Sequence, residues 1–301
     1  MRTTLLFTAL LLAGCGVTEA ELTDVGDDLS AAQGELGSAT RSYVVMRHDQ
    51  RRCIWPTCSG YWVHDVNRTT LNEQYVSRLD FSQSNLLMPE DQADVTGAGD
   101  FEVVLFGKLG PVETSFHTRP FLVTSAWRGM PTVKFTEPVD AFYRVSSASI
   151  RCITAPCPTL SASKLHSTSK ILHHDLDVSR ASLVGVDQNW LSSRTLDKDA
   201  LVAGRFVTVG QERVLDASQV FVHLPDQTQS CPRPALARCP AGQVNVWARD
   251  ENRCLLPAGC GGGGACRMAV PACSDGYSLA SWTGGPFGCT QYACDPAFLT
   301  D

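Results

Sequence analysis

Cations are in deficit in this chain: 25 Lys and Arg stand against 31 Asp and Glu over 301 residues, a net charge of -6. A surface of that sign has no electrostatic reason to seek nucleic acid or anionic headgroups, so nucleic acid is excluded as a partner. Motifs for nucleophilic or phosphate chemistry are missing too. There is no G-x-S-x-G elbow, no P-loop and no H-E-x-x-H, and Gly97-Ala98-Gly99 reads as a turn rather than a dinucleotide fingerprint. Nothing calls for a cofactor. A triad is defined by geometry rather than by position, so an unrecognised hydrolase stays open. Long apolar runs are also lacking, and none reaches the roughly 20 residues that a membrane helix needs.

What is present begins at the start of the chain. Arg2 precedes a short apolar run from Leu5 to Leu12, followed by Ala13, Gly14 and Cys15. The run is that of a signal peptide, and Leu-Ala-Gly-Cys is a bacterial lipobox. Residues 1–14 are then removed, Cys15 carries the lipid, and the mature chain loses Arg2, leaving about 24 cations against 31 anions. Several acyl chains make such attachment effectively permanent. The expected address is the bacterial cell envelope, with Gly16 after the cysteine placing it in the outer-membrane sorting class. Residues 15–41 hold six acidic residues and only Arg41 as a cation, the composition of a solvated tether.

Cysteine usage agrees with export. Of 13 cysteines, lipidation takes Cys15 and leaves an even set suited to disulfides, which persist outside a reducing cytosol. Four of them belong to a duplication. Arg52-Cys53-Ile54-Trp55-Pro56-Thr57-Cys58 recurs as Arg151-Cys152-Ile153-Thr154-Ala155-Pro156-Cys157. Val76-Ser77-Arg78 answers Val178-Ser179-Arg180, Gly107-Lys108-Leu109 answers Gly204-Arg205-Phe206, and the copies close at Pro131 and Pro225. These collinear landmarks define homologous domains at 42–133 and 140–226.

Both copies read as mainly β. Tyr43 to Met46, Tyr61 to Val66, Phe101 to Leu109 and Phe121 to Trp127, then Phe142 to Val145, Leu201 to Val209 and Val214 to Val222, are β-branched and aromatic runs bounded by turn residues. Each copy is expected to be a small antiparallel barrel or sandwich. Val76 to Leu79 and its counterpart could equally form a helical turn.

The tail is different. Cys231, Cys239, Cys254 and Cys260 form one quartet at 231–260, and Cys266, Cys273, Cys289 and Cys294 form a second of similar spacing at 266–294. Units of about 30 residues need crosslinks to be stable. Pairing is expected within units: Cys53 with Cys58, Cys152 with Cys157, and two bridges inside each quartet, with three connectivities open in each. Zinc is the weaker reading, because a structural site wants four ligands and each β copy offers one pair. His173-His174-Asp175 is the one local cluster resembling metal ligands, but adjacent histidines on a strand face opposite ways. Asn67-Arg68-Thr69 is a glycosylation sequon without expected meaning in a bacterial lipoprotein.

The Arg-Cys-x4-Cys opening with its β-rich continuation resembles an uncharacterised domain family of exported myxobacterial proteins, which implies no activity. Cys239-x-x-Gly242 leading through Asp250 to Cys254 is similar to the start of an antistasin-type protease inhibitor repeat. That likeness implies a protease inhibitor whose exposed Arg253, beside a disulfide, enters a target's specificity pocket. The leading expectation is non-catalytic: a lipid-anchored protein, held to the membrane by its lipid, that binds an unknown protein or glycan ligand or serves a structural role.

Overall fold

A computed structural model describes residues 40–299 of the chain, apart from 55, 69–72, 85–87, 132–139, 154, 184, 198, 227–230, 234, 236–237 and 267–268. The segments expected to be a signal peptide and, almost entirely, a tether lie outside the described residues, as do Cys15 and Thr69 of the sequon.

Copy one contains β1 (Ser42–His48), β2 (Tyr61–Asp65), β3 (Gln74–Val76), β4 (Leu79–Asp80), helix α1 (Pro89–Thr96), β5 (Val103–Leu109) and β6 (Phe121–Gly129). Copy two repeats the series as β7 (Ala141–Ser147), β8 (Leu160–Lys164), β9 (Lys170–His173), β10 (Asp175–Asp177), α2 (Gln188–Leu196), β11 (Leu201–Val209) and β12 (Glu212–Leu224). Each run expected to be a strand lies on one. The landmark at Val76 is corrected: Leu79 pairs with Phe121 as Leu176 pairs with Leu215, so the 3-10 turn at Ser179–Ala181 answers the turn that the Ser84 N–H closes on the Phe81 carbonyl, and Val76 itself ends a strand. The helices start where the residues favour it. Pro89 opens α1 ahead of Glu90 and Asp91, and the Asp187 carboxylate caps α2 by accepting from the N–H groups of Asn189 and Trp190.

The mainly β expectation holds, and of its two alternatives, barrel or sandwich, the closed barrel does not form. The strands form one open sheet in the order β3-β2-β1-β5-β6-β12-β11-β7-β8-β9, with β4 parallel to β6 and β10 parallel to β12. The order is a palindrome of the two copies, because the last strand of each pairs with the last strand of the other rather than returning to its own first strand.

Gly107 and Gly204 mark the same β-bulge in the two copies. A side chain at Gly107 would run into the Leu122 carbonyl, and one at Gly204 into that of Asp216. This close approach explains why the duplication keeps glycine there.

The core joins the copies. Val45, Val66, Val104 and Trp127 of copy one pack with Phe142, Leu165, Leu201 and Phe221 of copy two. The opposite face of copy one has its own cluster around Met46, Leu105 and Phe121, and copy two has others around Trp190 and Leu215.

The tail is two hairpins, β13 (Val244–Arg249) with β14 (Leu255–Gly261) and β15 (Tyr277–Gly284) with β16 (Cys289–Pro296). The second is docked by Cys294, whose N–H donates to the Gly185 carbonyl, and by the Tyr277 hydroxyl, which donates to the Pro131 carbonyl. Tyr277 and Leu299 complete the Trp190 cluster.

Candidate functional site

The most conspicuous outward feature is the pair of Cys-x4-Cys loops. They close as Cys53–Cys58 and Cys152–Cys157, each with a sequence separation of 5. The same backbone bond ties the base of each loop: Asp49 N–H donates to Gly60 and Ala148 N–H to Thr159. In copy one the scaffold is extensive. The buried Asp49 carboxylate takes a two-pronged bond from Arg51, whose guanidinium also donates to the Thr57 carbonyl and lies 5.0 Å from the rings of Trp62 and Tyr75. These bonds and the Trp62 N–H hold the Asp49 carboxyl at about 2, well below the ordinary carboxylate range. The Tyr75 hydroxyl donates to the Pro56 carbonyl.

What this scaffold presents is apolar. Ile54 is 87% exposed, and its equivalent Ile153 is fully exposed, each with an exposed arginine two residues away, Arg52 and Arg151. Neither isoleucine was singled out from the sequence, although their identity at equivalent positions of the motif was the available signal. Five antiparallel pairings separate β1 from β7, so the loops leave opposite ends of the sheet's strands.

Residues 42–223 match the model of a domain of unknown function, DUF6748. The chain belongs to this family. The match takes in both copies and stops short of the tail. An uncharacterized protein of Dictyostelium discoideum is 30% identical over 256 residues, covering 82% of this chain and 84% of the relative. No solved structure matches the chain.

Outside the DUF6748 region the eight tail cysteines resolve into regular pairs. Cys231 joins Cys254, Cys239 joins Cys260, Cys266 joins Cys289 and Cys273 joins Cys294. First pairs with third and second with fourth in both quartets, so each hairpin carries its own two staples.

Arg253 is not the exposed residue that the inhibitor reading requires, and that expectation is corrected. Its side chain is 9% exposed, donates to the Leu299 carbonyl and lies against Trp190. It belongs to a buried network joining the tail to the DUF6748 sheet. Arg194 of α2 pairs with Asp226 at 2.5 Å, Arg253 approaches the same carboxylate, and Arg249 pairs with Asp295 at 2.5 Å and Asp187 at 3.5 Å. Three arginines and three aspartates balance, which is what makes their burial tolerable. Above this network an open polar cleft of ≈ 610 Å³ lies between α2 and the turn after β13, lined by Asn189, Ser192, Asp197, Asp250, Glu251 and Asn252.

The His-His-Asp cluster does not converge. His173 is buried beside Phe206, whereas His174 is turned to the backbone of Arg213, whose N–H its Nδ1 accepts. Among the described residues no three His, Cys, Asp or Glu side chains are placed to hold a metal ion. Asn67 of the sequon is engaged: its amide donates to the carbonyls of Phe142 and Leu165, so a glycan there would break a contact between the copies.

Proposed function

We propose that the protein is an exported, lipid-anchored, non-catalytic binding protein of the cell envelope, and that the two disulfide-closed loops are its contact points for a protein partner. The observation that carries this reading is the exposure of Ile54 and Ile153 at equivalent loop tips. Large apolar side chains exposed to water on crosslinked loops make a contact surface whose ordering cost is lowered by the loop closure. The neighbouring Arg52 and Arg151 suit an apolar recess rimmed by carboxylates. Disulfide density supports an oxidising address, and the Leu-Ala-Gly-Cys sequence supports lipidation at Cys15. No helix among the described residues is long and apolar enough to cross a membrane, so attachment in this reading comes from the lipid.

Two experiments test it. Cys15→Ser should abolish palmitate labelling and release the protein from the membrane fraction; persistent labelling overturns the anchor. A photo-crosslinking amino acid placed at position 54 or 153 of the full chain in cells should yield a discrete protein adduct. That adduct should be lost when the other loop's isoleucine is left intact but Arg52 or Arg151 beside the probe is reversed to Glu. Absence of any adduct from both positions overturns the contact assignment.

A further inference from the structure

The contact between the two copies is built from a pair of matched bonds that differ in chemistry. Tyr43 and Phe142 occupy the same position of their first strands, since the Val66 N–H donates to Tyr43 and the Leu165 N–H to Phe142, both at 3.0 Å. The residues that follow, Asn67 and His166, are likewise equivalent, and both have positive φ, 59° and 68°. Each reaches across to the other copy. The Phe142 N–H donates to Asn67 Oδ1 at 2.7 Å, and the Tyr43 N–H donates to His166 Nε2 at 3.3 Å. The joint is therefore two-fold in geometry, with an amide oxygen as acceptor on one side and an imidazole lone pair on the other.

That difference has a physical consequence. An amide oxygen accepts at any pH met in biology, whereas a protonated imidazole has no lone pair and turns an N–H toward the N–H it formerly bonded. We propose that the joint is an acid-sensitive clasp: protonation of His166 removes the acceptor for the Tyr43 N–H and opens one half, while the Asn67 half stays closed.

The groups facing His166 are the Tyr43 ring from β1, 5.5 Å away, with Asp65 and Arg68 from the end of β2, which pair with each other at 2.6 Å. Lys164, at the end of β8, is the charged residue nearest to His166 in the chain. Desolvation in the joint, with a smaller push from Arg68, holds the His166 imidazole below its ordinary value and outweighs Asp65 and the Tyr43 backbone, which favour the charged form. The closed half is thus fully present above the ordinary histidine range and is lost as pH falls through the lowered value. Further along the joint, Arg144 donates to the Tyr43 hydroxyl and pairs with Asp199. Next to them is His223, which packs on Trp127 and is also lowered by burial. Its protonation acts in the same direction. Asp199 is raised by burial and so has the opposite sign, but in the carboxylate range.

The test uses the full chain and the hydrogen-exchange protection of the Tyr43 and Phe142 amides, corrected for intrinsic rates, at about pH 7.5 and about pH 5. Protection of Tyr43 should fall by about tenfold or more at the lower pH while that of Phe142 holds. His166→Asn installs the acceptor that copy one already uses, in a residue that tolerates positive φ, and should make Tyr43 protection independent of pH. Asn67→His should make Phe142 sensitive as well. Equal protection of Tyr43 at both pH values in the unaltered chain, or an equal loss in His166→Asn, overturns the proposal.

Discussion

Arg128 and Val222 face each other across the seam between β6 and β12, and they are the same position of the two copies. The bulge pairs Gly107 with Val123 and Gly204 with Ala217, which fixes the correspondence, and the seam register then sets Arg128 opposite Val222. A pseudo-dyad therefore runs between them. At such a point equivalent residues must be neighbours, so retaining arginine in both copies would place like charges directly opposite. The two copies differ here: Arg128 is paired with Glu102 at 2.7 Å, whereas Val222 is apolar and buried.

Restoring the symmetry should be harmful. Val222→Arg is expected to cost about 3 kcal/mol or more by burying an unpaired charge against Arg128. Adding Arg128→Val should recover part of it. Urea unfolding of the two single variants and the double variant measures the coupling, and strictly additive effects would show that the pair does not interact.

The bulge glycines make a second prediction. Gly107→Ala should destabilise by about 1–3 kcal/mol through overpacking, and Gly204→Ala by less, because the nearest backbone oxygen is closer at Gly107 than the 2.7 Å found at Gly204. Thermal denaturation of the two variants ranks them. A larger loss at Gly204 would contradict the shared bulge.

Asp226 is the carboxylate between Arg194 and Arg253. Asp226→Ala leaves two buried guanidinium groups short of a partner and is expected to cost about 3–5 kcal/mol. Exchange of the β13–β14 amides should rise with it, because the network holds that hairpin against α2. Unaltered exchange in the hairpin would mean that the disulfides and apolar contacts suffice for docking.

Asp49 gives an acid-range prediction with its own sign. Its carboxyl is lowered to about 2 in the fold, so its contribution is present above the ordinary carboxylate value of about 3.9 and is lost as pH falls through about 2. Between those values the copy-one loop should loosen, read as faster exchange at Thr57 and Cys58. Asp49→Asn should remove that pH dependence, whereas persistence of the same transition would assign it to another carboxylate.

Features carried by composition and spacing were determined by the sequence alone. The mainly β character follows from short β-branched and aromatic runs, and the unit boundaries follow from repeated landmarks such as Arg52-Cys53-Ile54 with Arg151-Cys152-Ile153. The choice of glycine at 107 and 204 was visible as a repeat, though its cause, a bulge against a facing carbonyl, was not. Tertiary structure alone decided how the copies meet. Whether β6 closes on its own first strand or pairs with β12 depends on sheet curvature, which is a sum over many residues and leaves no local mark. The bonds from Asn67 to Phe142 and from His166 to Tyr43 span 75 and 123 residues, and no periodicity encodes such distances. Arg253 shows the same limit: a charged residue beside a cysteine in a turn reads as exposed until the packed tail places Asp226 and Trp190 against it.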